Sequence, residues 1–257
     1  MKRLFDTELN YLQAFCRMEE AEDLIRFSDP ELPDMYSHNL TYIKPLVGEL
    51  RLSEVISREI TLAQQAGRTF LNIQTDVPVD PAALTGLPRQ PKATCLYDYY
   101  VFAPGDTSKL RSREGGQMLT LTADLRETAL ALDLRANGAD MGDDFVTRRF
   151  SRRSQVYLSA GAVDHFLCIH NGRAVGHADL FVADKVAKIE DVDIAPDSQR
   201  QGFGTAMLKA MIELAWERGA EIVYLITDHD DTAKDMYEKI GFTRAAQKAE
   251  WFFSFSS

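Results

Sequence analysis

The stretch Asp197-Ser198-Gln199-Arg200-Gln201-Gly202-Phe203-Gly204-Thr205 follows a predicted strand that ends at Pro196 and runs directly into a predicted amphipathic helix. This order of strand, glycine-rich loop and helix favours a diphosphate-binding site, because a helix start presents unpaired backbone N–H groups and the positive end of its dipole. Gly202 would permit a conformation that a Cβ blocks, Gly204 would let the backbone approach the phosphates, and Arg200 adds positive charge. A tight turn that binds nothing is the alternative interpretation, since a lone Gly-x-Gly is a weak motif.

Two motifs in this part of the chain resemble those of the GNAT superfamily of acyl-CoA N-acyltransferases. The loop Gln199–Thr205 is similar to the family's Gln/Arg-x-x-Gly-x-Gly/Ala loop, and Val192-x-Ile194-x-Pro196 is similar to the strand before it. Downstream, Asp230–Phe242 resembles the motif Asn-x-x-Ala-x-x-x-Tyr-x-x-x-Gly-Phe, in the family's order and spacing. The resemblance begins near Met118, covers a little over half of the chain, and implies an N-acetyltransferase with acetyl-CoA as co-substrate.

The resemblance also implies which residues bind acetyl-CoA. Main-chain groups of Val192 and Ile194 would hold the pantetheine arm, with an N–H facing the thioester oxygen. The pyrophosphate would lie on the loop formed by Gln199, Arg200, Gln201, Gly202, Phe203, Gly204 and Thr205. Asp230 stands where the family more often has Asn, and an ionised Asp can accept but not donate a hydrogen bond. Its role is therefore either cofactor orientation or helix capping.

Tyr237 and Glu190 are the candidate catalytic residues. Tyr237 matches the position of the family's usual general acid, and the alternative is an aromatic residue of the core. Some relatives carry a base-like glutamate at the position of Glu190, and partial burial would raise its pKa; the alternative is a solvated strand carboxylate. Strand alternation predicts that Glu190 and Ile194 share a face and that Asp191 and Asp193 occupy the opposite face.

The function that we predict is direct attack of a primary amine on acetyl-CoA in a ternary complex. The acceptor would be a small molecule or an amino-acid-like metabolite, with a protein N-terminus or lysine as another acceptor class. The rival interpretation, from a different class, is a catalytically silent acyl-CoA-binding module that acts in regulation or as an interaction scaffold. Release of free thiol from acetyl-CoA in the presence of amines discriminates the two.

Composition sets wider limits on this chain of 257 residues, of which 45% are apolar and 26% are charged, as in an ordinary globular protein. No apolar run is long enough for a membrane span and no secretory signal is evident, so we expect a cytoplasmic protein without a membrane partner. The formal charge of −10 argues against a nucleic-acid partner. Three scattered cysteines, Cys16, Cys95 and Cys168, match no metal spacing, and we expect no bound metal.

We expect an α/β fold with a mixed sheet, GNAT-like, in two domains. Residues 1–113 would form an N-terminal α/β domain of unknown role, and residues 114–257 would form the GNAT N-acetyltransferase domain, with the boundary in the turn-rich stretch Pro104–Gly116. The first domain lacks a glycine-rich phosphate loop. It is either a degenerate copy of the same fold, a cover for the acceptor site, or a subunit contact in a homodimer.

Apolar periodicity and turn residues predict the individual elements. One helix contains Leu52–Ala63, capped by Ser53 and closed at Gly67, and the tight-turn pair Asn171-Gly172 predicts a hairpin. Further helices are predicted at Asp124–Ala136, Asp144–Ser159, Gly204–Arg218 and Thr232–Lys239, with Gly138 closing the first of these. Strands are predicted at Thr69–Gln74, Ala93–Phe102, Met118–Thr122, His165–His170, Ala174–Val182, Ala187–Ala195 and Ile222–Thr227, followed by a terminal pair of strands.

Two groups of polar residues have no role assigned by the motifs. A basic face of the predicted helix Asp144–Ser159 carries Arg148, Arg149, Arg152 and Arg153. We interpret it as a solvated surface, with an anionic acceptor or the 3′-phosphate of the cofactor as the alternative ligand. Four histidines, His165, His170, His177 and His229, lack metal-ligand spacing, and surface or strand positions are the simpler interpretation.

Overall fold

The computed structural model describes residues 1–45, 47, 49–80, 84–105, 107–108, 110, 115–159, 161 and 163–255. Along the chain the elements are α1 (Lys2–Phe15), β1 (Arg17–Glu20), β2 (Leu24–Ser28), β3 (Leu40–Ile43), α2 (Glu49–Gln65), β4 (Phe70–Thr75), β5 (Ala93–Phe102), β6 (Gln117–Thr120), α3 (Arg126–Met141), α4 (Asp143–Leu158), β7 (Val163–His170), β8 (Arg173–Ala183), β9 (Val186–Ile194), α5 (Phe203–Glu217), β10 (Ile222–Asp228), α6 (Ala233–Ile240) and β11 (Phe242–Ser254). The fold is α/β with a mixed sheet, as the sequence predicted.

The chain forms two compact units, and each unit is built from three separate segments of the sequence. One unit, here the transferase unit, contains Met1–Phe15, Tyr100–Ile226 and Ala233–Arg244. The other, here the second unit, contains Cys16–Tyr99, Thr227–Thr232 and Ala245–Ser257. Compactness does not test independent folding, so the domain boundary between residues 113 and 114 stays a prediction.

The sheet of the transferase unit has the strand order β10-β9-β8-β7-β6. Neighbours from β6 to β9 are antiparallel, whereas β10 runs parallel to β9. A parallel pair needs a crossover, and α5 provides it. Apolar residues of α5 are buried against the sheet, namely Met207, Leu208, Met211, Ile212 and Ala215. The crossover β9-α5-β10 therefore carries the glycine loop Gln199–Thr205.

The hairpin between β7 and β8 is confirmed. Asn171 and Gly172 have φ angles of 51° and 74°, and His170 faces Arg173 across the turn. Two consecutive positive φ angles define the tight turn that matches the twist of antiparallel strands, and Asn and Gly are the residues that adopt it most readily.

The second unit contains the strand order β1-β2-β3-β4-β11. Here β3 and β4 are parallel, with α2 as their crossover, and β11 is antiparallel to β4. Its core includes Ile56 and Ile60 of α2 with Trp251 and Phe253 of β11. The second unit thus contains a parallel crossover of the same kind as β9-α5-β10, and its origin as a degenerate copy stays a prediction.

Several predicted ends of helices and strands are wrong. Ser53 lies inside α2 instead of capping it, and Gly138 lies inside α3, which ends before Gly142 at a φ angle of 84°. The predicted terminal pair of strands is one strand, β11. The first fifty residues, where few elements were predicted, contain α1 and β1–β3. Part of the predicted linker Pro104–Gly116 lies outside the described residues.

Candidate functional site

The loop before α5 has the backbone that its glycines predict. Gly202 is the N-cap of α5 with a left-handed φ angle of 88°, and its carbonyl accepts a hydrogen bond from the Ala206 N–H at 3.0 Å. A glycine has no side chain with which to cap, so the N–H groups of Gly204 and Thr205 donate no hydrogen bond to a capping side chain. The helix start therefore presents the donors and the dipole that an anion requires.

The side chains of the loop divide into anchors and exposed groups. The Gln199 Nε2 donates to the Ile194 carbonyl at 3.0 Å, and the Gln201 Nε2 donates to the Asp197 carbonyl at 3.2 Å. Phe203 is buried, with its ring centroid 5.0 Å from that of His170. Arg200 is exposed, at a left-handed φ angle of 61°. The glutamine amides thus hold the loop, and Arg200 carries an exposed positive charge beside it.

The strands β9 and β10 separate immediately before this loop. Their pairing covers Val186–Lys188 of β9, and the last pair is Lys188 with Tyr224. Strand β9 continues to Ile194, so the segment Ile189–Ile194 extends past the paired positions. Main-chain groups that leave a ladder need other partners. Val192 and Ile194, the predicted pantetheine contacts, both lie in this segment, where the Ile194 carbonyl already accepts the Gln199 amide.

A β-bulge lies in the same segment and corrects the predicted alternation. His177 of β8 faces Asp193, and Asp179 faces Glu190, so β9 contains one more residue than β8 between these pairs. Asp191 at the bulge has a left-handed φ angle of 49°. The prediction that Glu190 and Ile194 share a face is wrong, because the extra residue puts them on opposite faces. For the same reason Asp193 lies on the face of Glu190.

Glu190 is half-buried and ion-paired, so it is not a solvated strand carboxylate. The Lys188 Nζ lies 2.9 Å from its Oε2 and 2.8 Å from the Glu8 Oε1 of α1. The Tyr224 hydroxyl donates to the same Glu8 oxygen at 2.7 Å. Burial raises the pKa of Glu190, Lys188 opposes this shift, and the nearby carboxylates of Asp191 and Glu8 add to it. A raised carboxyl pKa suits a proton acceptor.

The basic face of α4 is partly buried, and its interpretation as a fully solvated surface is wrong. Arg149 and Arg153 are 7% and 5% exposed. The Arg149 Nη2 lies 2.6 Å from the Asp133 Oδ1, and the Arg153 Nη2 lies 2.7 Å from the Asp179 Oδ2. Buried charges require such partners.

Asp179 of β8 is the centre of a buried polar cluster. Helices α1 and α4 contribute side chains to this cluster. Besides Arg153, the Asp179 carboxylate contacts the hydroxyls of Tyr11 at 3.2 Å and Tyr157 at 2.8 Å, and the His165 Nδ1 at 2.7 Å. Burial opposes ionisation, but Arg153 and the His165 hydrogen bond hold the pKa of Asp179 below its usual value. His177 lies beside this cluster with both ring nitrogens buried, and among the described residues neither has a hydrogen-bond partner.

Tyr237 lies on α6, half-buried against the core of the transferase unit. Its ring centroid is 6.2 Å from that of Tyr100 and 5.8 Å from that of Phe242. This packing is compatible with both interpretations of Tyr237, as core aromatic and as general acid, since a half-buried tyrosine can present its hydroxyl at a surface. The acid role stays a prediction.

Asp230 belongs to the second unit. It is exposed, and its backbone N–H donates to the Asp228 Oδ1 at 2.8 Å. Next to it, the His229 Nδ1 lies 2.7 Å from the Oδ2 of the buried Asp98, whose Oδ1 accepts the Gln247 Nε2 at 2.9 Å. The cofactor-orienting role of Asp230 stays a prediction.

Sequence reasoning missed the supporting residues Glu8, Lys188, Arg153 and Asp179. A signal existed for the arginines, since Arg149 and Arg153 are spaced by one helical turn and share a helix face. Glu8 carried no such signal. Within the described ranges, no group of three or more metal-binding side chains occurs, and no helix is long and apolar enough to cross a bilayer.

Comparison with known proteins connects this geometry to a family. The profile of the Acetyltransferase (GNAT) family matches residues 136–242. The uncharacterized N-acetyltransferase CgeE of Bacillus subtilis is 38% identical over 72 residues, which are 27% of this chain and 28% of that protein. The [Ribosomal protein bS18]-alanine N-acetyltransferase of Escherichia coli K12 is 28% identical over 89 residues, which are 34% of this chain and 60% of that protein. The chain thus spans less than two thirds of these relatives.

A solved structure extends the similarity of fold to nearly the whole chain. The GCN5-related N-acetyltransferase from Kribbella flavida superposes with a TM-score of 0.71 at 17% sequence identity. The alignment covers 99% of this chain and 95% of that structure. The matched segment, residues 136–242, contains strands β9 and β10, the glycine loop and Tyr237. Residues 136–242 of this chain therefore match the GNAT acetyltransferase family.

Proposed function

We propose that this protein is an N-acetyltransferase that transfers the acetyl group of acetyl-CoA to a primary amine. The observation that carries the proposal is the separation of β9 from β10 after Lys188, immediately before the loop that presents the helix start at Gly202. The opened strand offers main-chain groups to an extended amide-containing arm, and the helix start offers N–H donors to its diphosphate. Acetyl-CoA carries both chemical groups on one molecule.

The residues of the site supply the proton transfers of a direct attack. The neutral amine nitrogen bonds to the thioester carbonyl carbon, and the carbon–sulfur bond breaks as the tetrahedral intermediate collapses. Glu190 accepts the proton that the amine loses, directly or through water, and Tyr237 gives its hydroxyl proton to the departing thiolate. Solvent then returns Glu190 and Tyr237 to their starting protonation states. A backbone N–H at Val192 or Ile194 polarises the carbonyl oxygen.

The acceptor that we propose is a small amine or an amino-acid-like molecule. Next to Glu190, the Asp191 carboxylate is paired with the Arg153 guanidinium group, so charges of both signs lie beside the candidate base. Such surroundings suit an acceptor that carries charges of both signs. One relative is named for an alanine of a ribosomal protein, so peptides that begin with alanine belong in any acceptor panel.

A catalytically silent acyl-CoA-binding module is the second candidate. The observation that favours it is Asp230, which stands where the family motif has asparagine. Its backbone N–H donates to the neighbouring Asp228 side chain. Such a module would bind acetyl-CoA and leave it intact with every amine.

Two measurements on the full chain test the proposal. Isothermal titration with acetyl-CoA should give one site per chain, and a second site would assign the cofactor to the second unit as well. Free-thiol release should then depend on an amine from a panel of amino acids, amino sugars and short peptides. Binding without amine-dependent release supports the silent module, and absence of binding contradicts both. The homodimer and the cytoplasmic location stay predictions, which gel filtration and cell fractionation address.

A further inference from the structure

The bulge at Asp191 is an unusual conformation for an interior strand residue. Its φ angle of 49° lies in the left-handed region, which is unfavourable for residues with a Cβ and is visited mainly by Gly, Asn and Asp. The bulge follows the last β9–β10 pair by only three residues and precedes Val192 and Ile194. Whatever holds Asp191 in this conformation therefore sets the direction of the main chain that follows it.

Arg153 of α4 holds the Asp191 side chain. Its Nη1 donates to the Asp191 carboxylate, and its Nη2 donates to the Asp179 Oδ2 at 2.7 Å. Asp179 is fully buried on β8 and lies directly opposite Glu190 in the strand register. One guanidinium group thus connects the bulge residue Asp191, which directly follows the candidate base Glu190, to the neighbouring strand β8.

The guanidinium group is itself fixed. Its carbon lies 4.9 Å from the centroid of the Phe15 ring and 5.6 Å from that of Tyr157, and its Nη2 donates to the Tyr11 hydroxyl at 2.6 Å. Tyr11 and Phe15 belong to α1, so the N-terminal helix forms one wall of this arrangement. A buried and stacked arginine with several partners loses little further entropy when it holds a carboxylate.

We propose that Arg153 is a positioning residue that holds the bulge at Asp191 and thereby directs the main chain of Val192–Ile194 toward the acyl-CoA arm. This proposal rests on the proposed function, because a directed main chain at Val192–Ile194 matters only if acyl-CoA binds there. It makes no use of side-chain chemistry at the thioester, so Arg153 acts through the backbone of β9 alone.

Matched arginine variants test this role. In Arg153→Met the Kd for acetyl-CoA should rise at least tenfold, and amide hydrogen exchange should accelerate at Val192–Ile194. The control is Arg149→Met, which removes another buried arginine of α4, one that pairs with Asp133 and, within the described residues, has no hydrogen bond to Asp191. Its Kd should change less than twofold, although both variants lower the melting temperature. Equal Kd values in the two variants would overturn the proposal.

A pair of variants at Asp191 keeps the test valid if Arg153→Met fails to fold. Asp191→Ala keeps the unfavourable φ angle without the ion pair and should bind acetyl-CoA at least tenfold more weakly. Asp191→Gly adopts this φ angle freely and should stay within about threefold of the natural Kd. It should also restore most of the affinity lost in Arg153→Met. Wild-type binding with indistinguishable Ala and Gly variants refutes the role of Arg153, whereas a wild type that binds no acetyl-CoA refutes the proposed function itself.

Discussion

Lys188 and Glu190, two residues apart on β9, form an ion pair in which the lysine Nζ lies 2.9 Å from the glutamate Oε2. The same ammonium group contacts Glu8 of α1 at 2.8 Å, so one buried cation serves two carboxylates. The pair keeps a half-buried glutamate anchored beside the separated strands. It also sets the balance between burial, which raises the pKa of Glu190, and Lys188, which lowers it.

This balance predicts the pH dependence of activity. A general base works when deprotonated, so kcat/KM should rise with pH through a pKa above the usual value of about 4.3 for glutamate. Glu190→Gln should lower kcat/KM and abolish this acidic limb. The measurement is a pH–rate profile of both proteins with one amine, corrected for the amine's own ionisation. An acidic limb that survives in the variant would exclude Glu190 as the base.

Removal of the lysine should move the same limb. Lys188→Met deletes the cation that lowers the pKa of Glu190, so the limb should shift to higher pH. It should also cost about 3–5 kcal/mol of unfolding free energy, because Glu8 and Glu190 lose their partner. Urea denaturation with Lys185→Met as control checks this, since Lys185 is an exposed lysine paired with Glu221 and should cost less than about 1 kcal/mol. An unmoved limb would show that Lys188 does not tune Glu190.

Loss of the Tyr237 hydroxyl should slow turnover without weakening the cofactor complex. Removal of a general acid typically costs about 10²- to 10⁴-fold in rate, and the aromatic packing of Tyr237 against Tyr100 and Phe242 is kept in Tyr237→Phe. The matched control is Tyr100→Phe, which removes a buried hydroxyl that donates to Glu238. Steady-state kinetics and acetyl-CoA titration separate the two effects. Turnover equal to that of the control would assign Tyr237 to the core.

The two loop glycines should respond differently to alanine. Gly202→Ala forces a Cβ onto a φ angle of 88° and should cost about 1–2 kcal/mol of stability. A Cβ at Gly204 would meet only Ile194 Cγ1, at an ordinary 3.7 Å, so Gly204→Ala should fold almost normally. Any loss of acetyl-CoA affinity in Gly204→Ala would then come from contact between the added methyl group and the ligand. Thermal melting and isothermal titration of both variants provide the comparison, and undiminished affinity in Gly204→Ala would place the diphosphate elsewhere.

The ionisation of Asp179 should make the free energy of unfolding decrease at acidic pH. Its pKa is lower folded than unfolded, so its contribution is complete above the unfolded value of about 3.9 and is lost as pH falls through the folded pKa. Asp179→Asn should destabilise by about 3–5 kcal/mol at pH 7, since Arg153 loses a buried partner, with a smaller difference below about pH 4. Asp164→Asn, which breaks the more exposed pair with Arg218, is the control. A pH-independent difference in urea unfolding would contradict this ionisation.

Local chemistry explains which parts of the fold were predictable. The Asn171-Gly172 hairpin and the glycine loop before α5 depend on residues adjacent in sequence, and both are confirmed as structural elements. Helix ends were less predictable, as the interior position of Gly138 shows. Strand alternation correctly placed Glu190 within β9, but it could not reveal the extra residue at Asp191, because a bulge leaves no regular pattern.

The sequence alone determined the family resemblance, the glycine loop and the candidate residues Glu190 and Tyr237, because these follow from short motifs with a fixed order. Only the tertiary structure decided that α1 belongs to the transferase unit, that Glu8 contacts Lys188, and that Arg153 is buried against Asp179 and Asp191. These contacts join residues up to 180 positions apart in the chain. Their partners are selected by packing and by the need to pair buried charges, neither of which a single sequence displays.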